Sequence, residues 1–158
     1  MKTAGIYVGS FNPFHIGHLD IAQKAKRIFG DVFIMKARSS EKSEQVDHHP
    51  INHGKLTQMG FVVGELMPGD LTTEFISRIE ANQDSVYSAY SDYDSISLIR
   101  GLRNESDFVY EENLCAAYRR LKPDINIIHI MSNPSLNYVS SSLLRAYGHL
   151  EKFKSFIV

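Results

Sequence analysis

Two histidines near the start of the chain have the type and spacing of residues that could act together on a ligand. His15 and His18 lie three residues apart within "GSFNPFHIGHLDI" (9–21), a stretch with two glycines, one proline and almost no charge. Imidazole can donate a proton or a hydrogen bond near neutral pH, and glycine lets the backbone approach a ligand closely. Taken alone, such a pair is typical of the surface or of two internally satisfied histidines, so its meaning depends on what lies beside it.

Two further polar clusters supply candidate neighbours. "RGLRNESD" (100–107) contains two arginines, whose forked guanidinium groups match the oxygens of a phosphate. "NYVSSSLLR" (137–145) contains three consecutive serines of the kind that begin a helix, and the start of a helix offers N–H groups to an anion. Together with the histidine segment, these clusters indicate a phosphate-rich ligand.

The elements that must position these clusters alternate along the chain. Short apolar runs predict strands over residues 4–8, 31–37, 61–66, 95–99 and 125–131. Apolar residues at helical spacing, with capping signals, predict helices over residues 17–29, 71–81, 106–122 and 140–150. This alternation predicts an α/β fold of the Rossmann-like, doubly wound type, with a mainly parallel five-stranded sheet and helices on both faces. Each polar cluster follows a strand, at the edge where ligands of such sheets bind.

Length, charge and cysteine content narrow the class of protein. The chain has 158 residues, a formal net charge of −1 and one cysteine, Cys115. The length fits one domain spanning residues 1–158, and the balanced charge argues against nucleic acid or an anionic membrane as a partner. There is no apolar run of the roughly 20 residues that span a bilayer and no signal-peptide pattern. We therefore expect a cytoplasmic protein with neither nucleic-acid nor membrane partners.

Three motifs carry a family resemblance. "GSFNPFHIGH" resembles the G-[TS]-F-[DN]-P-x-x-x-G-H signature of the HIGH-type nucleotidyltransferases. "IRGLRNESDFVYEENLCAAYRRLKP" (99–123) is similar to the I-R-G-L-R-x-x-x-D-F-x-Y-E motif of phosphopantetheine adenylyltransferase, and "YVSSSLLR" to that family's I-S-S-S-x-[LV] segment. On these motifs the chain is identified as a divergent member of that family.

The resemblance implies a reaction and a set of residues. The reaction transfers the adenylyl group of ATP to 4'-phosphopantetheine, giving dephospho-coenzyme A and pyrophosphate, with Mg²⁺ brought by ATP and no dedicated metal ligands. His18 is the implied catalytic residue. The implied ATP-binding residues are Ser10, Phe11, His18, Gly101, Leu102, Arg103, Glu111, Leu136, Asn137, Tyr138, Val139, Ser140, Ser141 and Ser142. The implied acceptor-binding residues are Ser10, Lys42, Thr72 and Arg100. The resemblance further implies a homo-oligomer, a hexamer.

Other interpretations of these motifs stay open. The acceptor could be another phosphorylated compound such as nicotinamide mononucleotide, or the chain could be a nucleotide-binding homologue without activity. Arg100 and Arg103 could serve only to pair with the acidic side chains of the following helix, Asp107, Glu111 or Glu112. Region 43–60 lacks the long charged helix that the family places there, which weakens the assignment of Lys42.

Two other features have a structural and a functional interpretation. His48, His49 and His53 could bind a transition metal, but a solvated loop is favoured because no cysteine or ordered carboxylate completes a ligand set. Tyr87, Tyr90 and Tyr93 recur every three residues in a connection that is longer than usual for the family. They could mark a helical turn packed on the domain or a lid over the acceptor, and packing is favoured.

Overall fold

A parallel sheet forms the centre of the computed structural model, which describes residues 1–37 and 50–158. Its strands are β1 (Thr3–Gly9), β2 (Asp31–Lys36), β3 (Val62–Glu65), β4 (Ser95–Leu102) and β5 (Asn126–Met131). They lie in the order β3-β2-β1-β4-β5, and every neighbouring pair is parallel. The chain therefore continues from β1 to one side and later returns to β4 on the other, which opens a crevice between β1 and β4. The predicted doubly wound α/β fold is confirmed.

Of the helices in the described residues, four connect successive strands and two follow β5. They are α1 (Ile16–Lys26), α2 (His53–Gln58), α3 (Thr72–Glu80), α4 (Glu105–Leu121), α5 (Ser141–Tyr147) and α6 (Glu151–Lys154). The four predicted helices are confirmed with shifted ends, whereas α2 and α6 were not predicted. Both are short, and Leu56 is the one buried residue of α2 while α6 buries none, so neither has the apolar periodicity that marks a helix in sequence.

Apolar side chains cover both faces of the sheet. Because successive strand residues point to opposite faces, Tyr7 of β1 packs with α1 on one face, whereas Ile6 and Val8 pack toward α3 on the other. Phe33 and Phe75 anchor the second face in edge-to-face contact, with ring centroids 6.4 Å apart. A strand buried on both faces needs apolar residues throughout, which explains the continuous runs in the sequence.

The tyrosine-rich connection between α3 and β4 packs on this second face. The rings of Tyr87, Tyr90 and Tyr93 lie 5.8, 5.5 and 6.2 Å from that of Phe33, all edge-on. The hydroxyl of Tyr93 also donates to the carboxylate of Asp31 at 2.7 Å. The packing interpretation is confirmed, although the segment forms turns rather than a helical turn.

The end of β4 differs from the prediction in a way that matters for the site. The strand continues to Leu102 rather than ending at residue 99. Arg100 and Gly101 therefore pair with His129 and Ile130 of β5 instead of lying in a loop. Strand pairing with β5 therefore fixes the backbone of Arg100.

Among the helices of residues 1–37 and 50–158, none is long and apolar enough to cross a bilayer.

Candidate active site

A cavity of about 420 Å³ opens where β1 and β4 end. Residues from all three polar clusters line it, so the prediction that the clusters meet at one edge of the sheet is confirmed. The predicted site residues that line the cavity are Ser10, Phe11, His18, Arg100, Gly101, Leu102, Arg103, Glu111, Leu136, Val139, Ser140, Ser141 and Ser142. Its size is in the range of small-molecule and cofactor pockets.

The two histidines organise the start of α1 by hydrogen bonds with its backbone. His15 is the N-cap, and its Nδ1 accepts a hydrogen bond from the N–H of Gly17 at 3.1 Å. The Nδ1 of His18 accepts from the backbone N–H of His15 at 3.2 Å, and the two rings stack with centroids 3.7 Å apart. Because each Nδ1 acts as an acceptor, the neutral form of each ring carries its proton on Nε2.

Burial keeps both rings neutral. It lowers the pKa of His15 to about 4, and the positive charge of Arg103 contributes to the shift. Burial also lowers the pKa of His18 well below its usual value, and His15 and Arg103 add to the effect. A charged imidazole loses hydration energy in such a place. The charge of His18, which the sequence left open, is therefore zero at neutral pH, with an N–H donor at Nε2.

The loop between β1 and α1 is held in an unusual backbone conformation. Phe11 has a φ angle of 42°, a left-handed conformation that is costly for a bulky side chain. Its ring is buried against those of Tyr7, Phe14 and His18, at centroid distances of 5.1, 5.1 and 5.0 Å. A Cβ atom on Gly9 would lie 2.7 Å from this ring, so only glycine fits there without a shift. Packing therefore fixes the loop that leads into α1, the helix on which His18 lies.

Arg100 is held by a buried carboxylate. Its Nη2 lies 2.7 Å from Oε1 of Glu111, and its Nε donates to both carboxylate oxygens at 3.1 and 3.0 Å. Its Nη1 reaches the carbonyl of Val8 at 3.4 Å. Burial would lower the pKa of Arg100, but the hydrogen bonds and charge of Glu111 outweigh it and raise the pKa. The guanidinium is thus charged and fixed in direction at the cavity wall.

Arg103 makes a looser pair of the same kind. Its Nε and Nη2 donate to the carboxylate of Asp107 at 3.1 and 3.4 Å, and its backbone N–H donates to the same group at 2.9 Å. The side chain of Arg103 is 42% exposed, against 20% for Arg100. The pairing of both arginines with acids of α4, raised above as an alternative role, is therefore present. Both arginines nevertheless line the cavity.

The three serines differ in whether the hydroxyl proton is still available to a ligand. The hydroxyls of Ser140 and Ser142 accept hydrogen bonds, from the N–H of Leu143 at 3.1 Å and from Arg145 at 3.3 Å. A hydroxyl that accepts keeps its own proton for another partner. Ser141 instead donates to the carbonyl of Pro13 at 3.1 Å, which ties the serine segment to the loop before α1.

Ten residues that line the cavity are outside the predicted set of site residues: Tyr7, Val8, Gly9, His15, Gly17, Ile21, Asp107, Tyr110, Ser132 and Arg145. Arg145 lies one turn after the serines on α5, and its Nη1 donates to the carbonyl of Asn12 at 2.8 Å. Its place at the end of the polar cluster was a signal that could have indicated it. Tyr7 lies within an apolar strand and gives no such signal.

Three predicted residues, Asn137, Tyr138 and Thr72, are not among the residues that line the cavity. The amide of Asn137 donates to the backbone carbonyl of Arg103 at 3.1 Å and so supports the turn after β4. The ring of Tyr138 is 59% exposed and packs on Phe156. Thr72 begins α3 beyond β3, and β2 separates that strand from β1. Lys42 lies outside the described residues.

The carboxylates of the site provide few ligands for a metal ion. Within residues 1–37 and 50–158, no group of three His, Cys, Asp or Glu side chains could hold one. Asp107 and Glu111 line the cavity, but each is paired with an arginine. His53 is an exposed residue at the start of α2, and His48 and His49 lie outside the described residues.

Sequence relatives match this chain over most of its length. The cytidylyltransferase-like family model matches residues 6–147. A phosphopantetheine adenylyltransferase of Mycoplasma mycoides is 33% identical over 155 residues, which are 96% of this chain and 100% of the relative. One from Lactobacillus acidophilus is 26% identical over 153 residues, covering 95% of this chain and 86% of the relative.

Solved structures support the fold. A putative nicotinate-nucleotide adenylyltransferase from Vibrio parahaemolyticus superposes with a TM-score of 0.62 at 14% identity, covering 100% of this chain and 88% of that one. The nicotinic acid mononucleotide adenylyltransferase of Plasmodium falciparum gives a TM-score of 0.56 at 18% identity, covering 99% and 91%. With the family model spanning the three motifs and relatives matching nearly the whole chain, this protein belongs to the cytidylyltransferase-like family, as a divergent member of the phosphopantetheine adenylyltransferases.

Proposed function

We propose that the protein transfers the adenylyl group of ATP to 4'-phosphopantetheine, forming dephospho-coenzyme A and pyrophosphate in coenzyme A biosynthesis. The observation that supports this most is the meeting of the three family motifs around one cavity, with His18 on one wall and Arg100 and Arg103 on the other. The names of the sequence relatives support the same acceptor.

The proposed chemistry is an in-line displacement. An oxygen of the acceptor's phosphate forms a bond to the α-phosphorus of ATP, while the bond from that phosphorus to the bridging oxygen breaks and pyrophosphate leaves. No covalent enzyme intermediate is needed, so catalysis consists of positioning and of stabilising the charge that develops. His18 would donate its Nε2–H to an α-phosphate oxygen. A neutral donor serves this purpose because the proton stays on the ring.

The remaining polar groups would divide between the two substrates. Arg103 would hold the β- and γ-phosphates, and its exposed pair with Asp107 can open at small cost because such pairs contribute little. The hydroxyl protons of Ser140 and Ser142 would add donors to the same phosphates. Arg100, fixed by Glu111, would bind the phosphate of the acceptor. Ser10, at the edge of both, would contact both substrates.

Magnesium would enter with ATP. Mg²⁺ prefers oxygen ligands and retains several waters, and it commonly binds through substrate phosphates rather than through an all-protein cage. The site fits this mode because its two nearby carboxylates already pair with arginines. The ion would supply charge neutralisation on the triphosphate. The residues of this chain would orient the α-phosphate and the acceptor.

We propose a cytoplasmic location and a homo-oligomer, a hexamer, on the basis of the family resemblance. Sedimentation equilibrium of the purified protein tests the assembly. A mass of six chains of 17.9 kDa is the expected result, and a monomer at all concentrations would contradict it.

A pyrophosphate-release assay tests the proposed reaction. Purified protein is mixed with ATP, Mg²⁺ and a panel of phosphorylated acceptors, and the His18→Ala variant, prepared in parallel, controls for contaminating enzymes. We expect release with 4'-phosphopantetheine and a new product of the mass of dephospho-coenzyme A. Release with nicotinamide mononucleotide alone would transfer the assignment to that acceptor. ATP binding by calorimetry without release for any acceptor would indicate a nucleotide-binding homologue.

A further inference from the structure

A chain of side-chain contacts lies beside Arg100, on the side where β4 pairs with β5. Oε2 of Glu111 lies 3.4 Å from Nε2 of His129, and the thiol of Cys115 lies 3.7 Å from the same nitrogen. His129 is the direct partner of Arg100 in the pairing of β4 with β5. Since paired residues of neighbouring strands point to the same face, the imidazole and the guanidinium reach Glu111 from adjacent positions.

The carboxylate of Glu111 has a second partner in His129. It is 6% exposed, and a buried charge is costly unless its oxygens are hydrogen-bonded. Arg100 donates to Oε1 through Nη2 and Nε and to Oε2 through Nε, and a proton on Nε2 of His129 would add a donor at Oε2. With a donor on each side, the carboxylate is restrained from rotating. The orientation of Arg100 follows from that restraint.

The arginine keeps donors for a ligand in this arrangement. A guanidinium has five N–H groups. The contacts with Glu111 and Val8 use Nε–H and one N–H on each terminal nitrogen. One N–H therefore remains on each terminal nitrogen, and this pair is available to a phosphate of the ligand. Small rotations of Glu111 would turn this pair away from the ligand.

We propose that His129 is a positioning residue for the phosphate of the acceptor: it holds Glu111, and Glu111 holds Arg100. This rests on the proposed function for the identity of the ligand at Arg100. Cys115 contributes less, because burial and the charge of Glu111 raise the pKa of its thiol and leave it a neutral, weakly bonding neighbour. His129 itself is not among the residues that line the cavity.

The test uses His129→Leu, which removes the donor, and His129→Gln, whose amide can replace Nε2–H. Cys115→Ala is the matched control from the same cluster, and His149→Leu controls for loss of an exposed histidine. The KM for 4'-phosphopantetheine, the KM for ATP and kcat are measured for each. Independently of any acceptor, NMR follows the exchange with water of the Arg100 Nε–H, assigned by its loss in Arg100→Lys.

His129→Leu should raise the KM for the acceptor about three- to tenfold, the range for one lost hydrogen bond. The KM for ATP and kcat should stay within about twofold of wild type. The Arg100 Nε–H should exchange faster, and His129→Gln should restore both values. An unchanged acceptor KM and exchange rate would overturn the inference, and so would equal rises for both substrates with a lowered Tm and no rescue. If wild-type protein is inactive with this acceptor, the proposed function fails, while the exchange rates still decide the positioning role.

Discussion

The two walls of the cavity are stabilised in different ways. The histidine wall, residues 9–18, is held by packed aromatic rings and by hydrogen bonds from backbone N–H groups to His15 and His18. The arginine wall, residues 100–111, is held by charged pairs between Arg100 and Glu111 and between Arg103 and Asp107. One wall is neutral and dense, and the other is charged and partly exposed.

This difference separates two tasks. A group that must donate one hydrogen bond at a fixed point gains from being locked in place before the ligand arrives, which is how His18 is held. A group that binds a mobile, highly charged phosphate must exchange one anionic partner for another. The exposed pair of Arg103 can do so easily, whereas the buried pair of Arg100 keeps its carboxylate and uses the remaining donors.

Replacing the neutral donor should have the largest effect. We expect His18→Ala to lower kcat by about two to three orders of magnitude, the scale for loss of one preorganised donor. The KM for ATP should change far less, because the arginines and serines remain. His53→Ala, at an exposed histidine of α2, is the control for histidine removal. Steady-state kinetics with near-normal kcat for His18→Ala would show that the arginine wall suffices.

Lysine substitutions should separate the two arginines. Lysine keeps the charge but loses the fork, so Arg100→Lys should weaken acceptor binding selectively and Arg103→Lys should weaken ATP binding selectively. The expected loss is about ten- to a hundredfold in each case. Arg100→Lys should also lower Tm, because buried Glu111 loses a forked partner, whereas exposed Arg103→Lys should not.

Calorimetry with each substrate, together with thermal unfolding, measures both parts of this contrast. Equal small losses for both ligands, accompanied by a lowered Tm in both variants, would mean that the arginines serve only to pair with α4.

The neutral histidine wall should make the fold sensitive to acid. The pKa of His15 is lowered to about 4 in the folded protein, against about 6.5 when unfolded. As the pH falls below about 6.5, the unfolded chain binds a proton that the folded chain does not, so the free energy of unfolding falls until about pH 4. Between pH 7 and pH 5, the titration of His15 should lower the free energy of unfolding by on the order of 2 kcal/mol.

His15→Asn tests that dependence, because asparagine is a good N-cap but does not titrate. Urea unfolding at pH 7 and pH 5 should show a smaller loss for the variant than for wild type. Equal losses for the two proteins would mean that His15 is not kept neutral by the fold. His53→Asn, at an exposed histidine, should behave as wild type.

The smallest effect is expected at the exposed pair of the arginine wall. Asp107→Asn should change the free energy of unfolding by less than about 1 kcal/mol, since exposed ion pairs contribute little. ATP binding should tighten by up to a fewfold, because the triphosphate no longer competes with a carboxylate for Arg103. Calorimetry that shows weaker ATP binding would contradict the proposed exchange of partners and would make Asp107 a positioning residue for Arg103.

Much of the site could be predicted from local patterns in the sequence. The serines, the two arginines and His18 line one cavity as their positions after strands predicted. Asn137, Tyr138 and Thr72 are not among the lining residues, because a motif fixes a position in the chain and not the direction of a side chain. Asn137 turns its amide to the carbonyl of Arg103, and Tyr138 turns its ring to Phe156.

By itself, the sequence determined the order of strands and helices, and hence the sheet edge at which the polar clusters meet, because apolar periodicity and capping depend on neighbours in the chain. Tertiary structure alone decided the charge of His18, the pairing of Glu111 with Arg100 and the contact of His129 with Glu111. Burial and pairing depend on residues far apart in the chain, as with His129 and Glu111, and no local pattern records them. The residue types indicated the chemistry. The electrostatic environment of the site arises only when β1, β4, α4 and β5 pack together.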